Sequence, residues 1–346
     1  MARNGAGWHT VVRSSEASIQ GGNSVKAVRF HEFGGPEVLR YEDIPEPEPG
    51  PGEAVLRLGA CGVNFIDTYQ RTGAYNVALP HVAGQEGAGE VVAVGEGVTN
   101  IAVGEHAGYT GTGASYAEYV KVSADRLVKL PEGVDDATGA AVLLQGMTAH
   151  YLMASTFPLQ LGHTCLVHAA AGGVGLLLTQ MAKMRGAHVI GTVSTEEKAQ
   201  LAREAGADDV ILYTQQDFVA EVDRITGGAK LDVVYDSVGK DTFDGSLDCL
   251  APRGYLVLFG QSSGRVPPVD PQVLNAKGSL FLTRPTLASY ALTREEIDWR
   301  ASEIFGWLAE GALNVRVGAS FALSEAAEAH RQLEGRLTTG KVLLIP

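Results

Sequence analysis

Short apolar runs separated by glycine and proline fill the chain from residue 25 to about residue 144. Residues 53–60 alternate between apolar and polar side chains, with Leu56, Leu58 and Ala60 on one face, as in a half-buried strand. The valine-rich run 91–94 leads into a Gly-Glu-Gly sequence at 95–97, which is typical of a strand followed by a hairpin turn. Short strands at this spacing predict a compact β-barrel-like domain.

From about residue 145 the pattern changes, and short apolar strands alternate with helical stretches. The predicted strands are 164–169, 187–193, 209–212, 231–236, 254–259 and 278–283, and the predicted helices are 174–185, 196–205, 216–226 and 240–250. This alternation predicts an α/β fold whose six strands form a doubly wound, parallel, dinucleotide-binding sheet. The tail predicts helices near 294–310 and 324–334 and a last strand at 341–345, which allows it to rejoin the first domain.

Composition and charge narrow the class of protein. Hydrophobic residues make up 45% of the 346 residues and charged residues 19%, which is enough to bury a large core in roughly two domains. The net charge of −13 argues against nucleic-acid and anionic-membrane partners. Three scattered cysteines cannot form a disulfide framework and fit a reducing, cytoplasmic location.

Residues 1–24 differ from the rest of the chain. They contain Arg3 and Arg13 against Glu16, several serines and glycines, and no apolar core of a secretory signal. The sequence predicts a disordered leader at 1–24, with an organelle transit peptide as the alternative.

The strongest motif is the run Ala170-Ala171-Gly172-Gly173-Val174-Gly175. It follows a predicted strand and opens a predicted helix, which is the context in which an A-x-G-x-x-G run binds a dinucleotide. Gly172 allows the backbone to approach a pyrophosphate, and Gly175 allows the helix to pack against the strand. The free N–H groups at the helix N-terminus then face the phosphates.

The end of the second strand indicates which cofactor binds. NAD-binding chains carry an acidic residue about 20 residues after the glycines, but this chain has Ser194 there, with Lys198 one helical turn later. A hydroxyl and an ammonium attract a 2′-phosphate that a carboxylate would repel, so the sequence favours NADPH. The alternative is that Lys198 is an ordinary surface residue beside Glu196 and Glu197.

Seven runs together resemble the zeta-crystallin-type quinone oxidoreductases, the zinc-free branch of the medium-chain dehydrogenase/reductase superfamily. They are CGVNFIDTY (61–69), QGMTAHY (145–151), HAAAGGVG (168–175), VYDSVG (234–239), FGQSSG (259–264), TRP (283–285) and GRLTTGKVLL (335–344). The resemblance implies a GroES-like catalytic domain built from 25–145 and 286–346, a Rossmann domain at 146–285, NADPH as hydride donor, and a homodimer.

The residues also bear on metal binding. Zinc-dependent relatives use a Cys, the His of a G-H-E run, and a further Cys or acid, whereas this chain keeps Cys61 and Glu86 but has Gln85 in place of the histidine. An amide is a poor zinc ligand beside imidazole or thiolate. We therefore expect no metal, Cys61 as a small buried residue, and weak alcohol oxidation.

By resemblance, Asn64 and Thr148 lie beside the nicotinamide, although either residue can instead be a satisfied core polar group. Tyr69 walls the acceptor pocket, and Tyr75 gives a hydrogen bond or proton to the acceptor oxygen. Asn76 follows Tyr75 where relatives carry proline, so a surface packing role for Tyr75 stays open.

Further cofactor contacts are implied along the carboxyl edge of the sheet. Tyr213 is expected near the adenine ribose, and Arg336 is expected to reach the cofactor from the other end of the chain, with an ordinary exposed arginine as the alternative. The remaining candidates end the fourth and fifth strands of the predicted dinucleotide-binding sheet and are Ser237, Gly260, Ser262 and Ser263.

The expected function is therefore NADPH-dependent reduction of quinones or activated enones without a metal. The first alternative is an NADPH-dependent enoyl reductase of the same superfamily. The second is a non-catalytic, crystallin-like protein that binds NADPH or RNA, against which the acidic charge and the absence of a basic-aromatic patch argue.

Overall fold

The computed structural model describes residues 23–111 and 113–346. Most of the expected leader, residues 1–22, lies outside the described residues. The strands are β1 Ser24–Phe30, β2 Arg40–Pro45, β3 Glu53–Val63, β4 His81–Val82, β5 Glu86–Val94, β6 His106–Thr110, β7 Tyr119–Ser123, β8 Val128–Lys129, β9 Thr164–His168, β10 His188–Val193, β11 Asp209–Leu212, β12 Leu231–Asp236, β13 Leu250–Leu258, β14 Phe281–Thr283, β15 Val317–Ala322 and β16 Lys341–Ile345. The α-helices are α1 Phe65–Arg71, α2 Asp136–Tyr151, α3 Gly173–Met184, α4 Glu196–Glu204, α5 Phe218–Thr226, α6 Phe243–Asp248, α7 Gln272–Ala276, α8 Leu287–Tyr290, α9 Arg294–Ala309 and α10 Ala326–Glu334.

The six predicted strands of the middle region form one parallel sheet in the order β11-β10-β9-β12-β13-β14. The chain reverses its direction of winding between β9 and β12, which is where dinucleotides bind in folds of this kind. The predicted strand 278–283 is shortened to Phe281–Thr283. Gly278 and Ser279 adopt positive φ of 113° and 57° and form a turn before it.

Both ends of the chain contribute to a second sheet, ordered β15-β16-β3-β5-β6-β8, with β7 also paired to β3. The last strand pairs antiparallel with β3, with Leu344 opposite Cys61 and Val342 opposite Val63. The predicted return of the tail is thus confirmed, and Leu56, Leu58 and Ala60 are buried as predicted. A small sheet of order β2-β1-β4 completes the GroES-like part.

Helix α2 lies inside the stretch that the sequence predicts as strand and turn, so that prediction is wrong for residues 136–144. The helix begins at an Asp135 cap whose side chain accepts a hydrogen bond of 2.8 Å from the Thr138 N–H. It is packed against β3, β5 and β6 and also against α3 and α9. None of its residues is exposed, so the helix has no solvent-facing polar stripe and no amphipathic period to detect.

Helix α1 is the second element missed. Its first turn is held by the Asn64 N–H, which donates to the Asp67 carboxylate at 2.8 Å, as in a capping box.

Within residues 23–111 and 113–346, no helix is both long and apolar enough to cross a membrane.

Candidate active site

A cleft of about 660 Å³ lies at the carboxyl ends of the parallel strands and is closed on its other side by α1, α2 and the last strand. It brings together all but two of the site residues expected from sequence. Those lining it are Asn64, Tyr69, Tyr75, Thr148, Gly172, Gly173, Val174, Gly175, Ser194, Lys198, Tyr213, Ser237, Gly260, Ser262 and Arg336. The two that do not line it are Ala170 and Ser263.

The glycine-rich turn occupies the centre of the cleft, between β9 and α3. Its chain reverses at Ala169, and the Gly172 N–H donates to the Ala169 carbonyl at 2.9 Å. A Cβ atom at Gly175 would lie 2.3 Å from that carbonyl oxygen, and one at Gly173 would lie 1.9 Å from the Gln145 Oε1. Backbone atoms therefore exclude a side chain at Gly175, whereas one at Gly173 would have to displace the Gln145 amide. The amides at the start of α3 stay open to an anion.

Ala170 supports the glycine-rich turn from behind, and Ser263 supports the loop that follows β13. Ala170 is fully buried and packs on Gly191 of β10, where a Cβ atom would lie 2.8 Å from the Ala170 methyl group. Ser263 Oγ accepts the Asp241 N–H at 3.0 Å and donates to the Val238 carbonyl at 2.8 Å. Both residues thus hold backbone in place behind the cleft wall.

Two cations lie together at the edge of the cleft where β10 ends. The Lys198 Nζ donates to the Arg336 carbonyl at 2.7 Å. Burial lowers the pKa of Lys198, and the neighbouring Arg336 charge lowers it further. Ser194 and Tyr213 line the same end of the cleft, and Glu196 is directed away into an ion pair with Arg203.

Two tyrosines stand at the opposite end. The rings of Tyr69 and Tyr75 meet edge to face with centroids 5.4 Å apart. The Tyr69 hydroxyl accepts the Gln261 N–H at 3.1 Å, and burial raises the pKa of Tyr69 to about 12. The Tyr75 hydroxyl accepts a hydrogen bond from Arg284 Nη2 at 2.9 Å. Both hydroxyl oxygens are thus held as acceptors, which leaves each O–H hydrogen free to donate into the cleft.

The Asn64 side chain is fully used by a buried network that the sequence did not reveal. Its Oδ1 accepts from Lys341 Nζ at 2.9 Å and from Gln145 Nε2 at 3.1 Å. Its Nδ2 donates to Glu86 Oε2 at 3.0 Å and to the Gly62 carbonyl at 3.3 Å. An amide makes four hydrogen bonds at most, so the geometry favours the core alternative for Asn64.

The centre of that network is an ion pair between Lys341 and Glu86, both at most 1% exposed. Because Lys341 can only donate and Glu86 only accept, together they fix which way the Asn64 amide faces. The available signal was a single lysine at the head of the apolar run 342–345, but its partner lies 255 positions away.

A second buried network fixes α1 against α10. Arg71 pairs with Glu334 at 2.7 Å and donates to His330 Nδ1 at 2.9 Å, so His330 carries its proton on Nε2, which faces the Tyr116 hydroxyl at 3.0 Å. That hydroxyl donates to Asp67 at 3.0 Å. Burial and the Arg71 charge lower the pKa of His330 to about 3, and burial raises the pKa of Asp67 to about 7.

The positions that resemble zinc ligands are otherwise engaged. The Gln85 Nε2 donates to Gln70 at 3.2 Å, and both Glu86 oxygens accept hydrogen bonds. Burial raises the pKa of Cys61 to about 12. In the part of the chain that the structure describes, no three His, Cys, Asp or Glu side chains are grouped to hold a metal. The residues present therefore do not fit a catalytic zinc ion.

A parallel dinucleotide-binding sheet joined to a GroES-like sheet, with a cleft between them, defines a reductase of the medium-chain dehydrogenase/reductase superfamily. Family models for the alcohol dehydrogenase GroES-like domain and for zinc-binding dehydrogenases match residues 50–132 and 173–304. A quinone oxidoreductase from Pseudomonas aeruginosa is 50% identical over 323 residues, covering 93% of this chain and 99% of that protein. The chain belongs to the quinone oxidoreductase family.

Solved structures agree with this assignment. A mycobacterial protein crystallised with NADPH has a TM-score of 0.91 at 49% identity, covering 93% of this chain and 100% of that one. The quinone oxidoreductase of Escherichia coli, also complexed with NADPH, has a TM-score of 0.91 at 44% identity over the same shares. The resemblance and the fold class expected from sequence are both confirmed.

Proposed function

We propose that this protein reduces quinones with NADPH, by direct hydride transfer in a cleft that holds no metal. The observation that carries the proposal is that two cationic residues, Lys198 and Arg336, line the same end of the cleft, where the bond from the Lys198 ammonium to the Arg336 backbone carbonyl holds them side by side. Burial lowers the pKa of Lys198, and the Arg336 charge is near enough to lower it further. Two cations held together are stabilised by an anion between them. The adenosine 2′-phosphate is the part of NADPH that NADH lacks, and it would lie at this end of the sheet.

The remaining cofactor contacts follow from the same geometry. The α3 N-terminus and the glycine turn offer backbone N–H groups to the pyrophosphate. Ser194 and Tyr213 lie beside the position of the adenosine ribose. Thr148 lies one turn beyond Gln145 on α2. The Gln145 Oε1 is buried and has no hydrogen-bond donor among the described residues. This part of the cleft would receive the nicotinamide, together with the loops that carry Ser237, Gly260 and Ser262.

NADPH supplies a hydride, and the chain supplies position and a dry environment. The quinone accepts the hydride, with its two electrons, and one proton, and so becomes the hydroquinone. Tyr69 and Tyr75 can donate hydrogen bonds to the acceptor carbonyl, and the final proton comes from water. Binding the two reactants at near-attack distance is the main contribution.

The lack of zinc ligands limits the chemistry. Alcohol oxidation needs help in removing the hydroxyl proton, which a metal ion usually gives, and Gln85 and the engaged Glu86 cannot hold one. A quinone gains aromaticity on reduction and does not need a Lewis acid.

A second candidate function is the reduction of activated alkenes such as enoyl thioesters. It is favoured by the Tyr75 hydroxyl, which lines the cleft with its hydrogen free to protonate the product. Quinone reduction remains the primary proposal because the cleft is mostly apolar and the family is one of quinone oxidoreductases.

We further propose two domains: a GroES-like domain of residues 25–145 and 286–346, and a Rossmann domain of residues 146–285. The separation of the two large sheets supports this division. A homodimer is supported by β14, an edge strand whose Phe281 is 49% exposed and stacked on Tyr255 at 4.4 Å. A cytoplasmic location is supported by three free and buried cysteines.

NADPH oxidation assayed with 1,4-benzoquinone, an enoyl thioester and, in reverse, a primary alcohol with NADP⁺ tests the proposed function. We expect turnover with benzoquinone and almost none with the alcohol. Rapid enoyl-thioester reduction with negligible quinone turnover would establish the second candidate instead.

A further inference from the structure

The charge of the cleft is opposite to the charge of the protein. The chain carries a net charge of −13, yet the charged side chains that line the cleft among the described residues are Arg126, Lys198, Arg284 and Arg336 against a single carboxylate, Asp241. A cleft with apolar walls concentrates the field of such cations and attracts anions.

The cofactor accounts for only half of these cations. Lys198 and Arg336 lie where β10 ends, whereas Arg284 directly follows β14. In the strand order of the sheet, β10 and β14 are four strand spacings apart, or about 19 Å at ~4.8 Å each. The pyrophosphate position, at the start of α3, follows β9 between them. The cofactor phosphates therefore leave Arg284 without an anionic partner.

Arg284 is held in place without being neutralised. Its Nη2 donates to the Tyr75 hydroxyl at 2.9 Å and its Nη1 donates to the Pro285 carbonyl at 3.2 Å. No carboxylate pairs with it anywhere in residues 23–111 and 113–346. Arg126, at the same end, donates to the Ala291 carbonyl at 2.6 Å and likewise has no carboxylate partner in the described part of the chain.

Around Arg284 the cleft wall is apolar and aromatic. Leu287 and Ala288 line it from α8 and Ile297 from α9, and Tyr151 faces them from α2. Tyr151 stacks on Tyr290 at a centroid distance of 4.5 Å, with the planes 7° apart. A guanidinium at the edge of such a pocket suits a molecule with a flat apolar body and one anionic group.

We propose that Arg284 forms an anion-binding subsite of the acceptor pocket, so that the enzyme prefers aromatic acceptors bearing a carboxylate or sulfonate over their neutral counterparts. This inference rests on the proposed function and names the substrate class of the same site. The anionic group pairs with Arg284 while the ring lies against the apolar wall. Arg284 is exposed, so the preference should weaken as salt rises.

A matched pair of unreactive ligands tests the proposal: naphthalene-2-sulfonate and the neutral naphthalene-2-sulfonamide. Their dissociation constants are measured by calorimetry on the full chain saturated with NADP⁺, which blocks the Lys198 and Arg336 end. We expect the wild type to bind the sulfonate about fivefold more tightly, the upper end for a solvent-accessible ion pair. Arg284→Gln should bring the two constants within about twofold, and Arg284→Lys should keep most of the difference.

Arg40→Gln is the control, because Arg40 is an exposed residue of β2 outside the cleft and its loss changes the net charge equally. It should retain the fivefold preference. Equal affinities in the wild type, binding of neither ligand, or a preference that survives Arg284→Gln would each overturn the proposal. Turnover of neutral 1,4-benzoquinone separates the two claims: its absence refutes the proposed function, whereas a lost sulfonate preference with normal benzoquinone turnover refutes only the subsite.

Discussion

Replacing Lys198 by alanine should weaken NADPH binding and leave NADH binding almost unchanged. The Lys198 ammonium is partly buried, lies beside the Arg336 charge, and makes one hydrogen bond of 2.7 Å, to the Arg336 carbonyl. A 2′-phosphate at this point would accept a charge-assisted hydrogen bond from it. NADH, which carries no phosphate there, serves as the control within the same variant.

The size of the effect follows from the surroundings of Lys198. A hydrogen bond to a charged group contributes about 1.5–3 kcal/mol. Because Lys198 is partly exposed and Arg336 remains, the lower end applies, which is roughly tenfold in the dissociation constant. The lost bond to the Arg336 carbonyl also loosens the segment before β16. Because Arg336 is the second cation proposed to meet the 2′-phosphate, any displacement of its side chain adds to the loss for NADPH and leaves NADH unaffected.

Dissociation constants for both nucleotides are measured by calorimetry at fixed salt for the wild type, Lys198→Ala and Arg336→Ala. The preference for NADPH, expressed as the dissociation constant of NADH divided by that of NADPH, should fall about tenfold in each variant, and higher ionic strength should reduce the wild-type preference. If Lys198→Ala weakens the binding of both nucleotides by the same factor, Lys198 does not contact the 2′-phosphate. The Lys198–Arg336 arrangement then no longer supports the proposed use of NADPH.

Three further results are expected. Elemental analysis of the purified protein should find no stoichiometric zinc and a chelator should leave activity unchanged; one zinc ion per chain would contradict the assignment of Gln85. Tyr75→Phe should slow quinone reduction only mildly, whereas an enoyl reductase would lose about 10²-fold or more; a collapse of quinone turnover would make Tyr75 an obligatory acid. Between pH 6.5, the ordinary pKa of histidine, and the native pKa of His330 of about 3, the unfolded chain binds a proton at this residue that the native protein does not. The contribution of His330 to stability therefore falls by about 1.4 kcal/mol for each unit by which the pH falls. Calorimetric unfolding of His330→Gln should show a smaller loss of stability than the wild type as the pH falls over this range. Asp67 makes an opposing contribution that is common to both proteins and cancels in the comparison. An unchanged dependence of stability on pH would contradict the lowered pKa of His330.

The sequence by itself determined the parallel sheet, the glycine turn and the cofactor preference. Each depends on residues close together in the chain: the strand–helix alternation from residue 164, the spacing of Gly172 and Gly175, and the serine that stands where an acidic residue would select NAD. Local periodicity and residue type are sufficient for such features. The mismatch with zinc was likewise visible at Gln85.

Only the tertiary structure decided what surrounds these motifs. Helix α2 escaped detection because none of its residues is exposed, so it has no solvent-facing polar stripe. The Lys341–Glu86 pair that saturates Asn64 joins residues 255 positions apart, and the Arg284–Tyr75 contact joins residues 209 positions apart. Such pairs form because the last strand returns to β3 and because Arg284, directly after β14, lies against the loop that follows α1. A side chain's partner, and hence whether its charge is neutralised, depends on that packing and not on its neighbours in sequence.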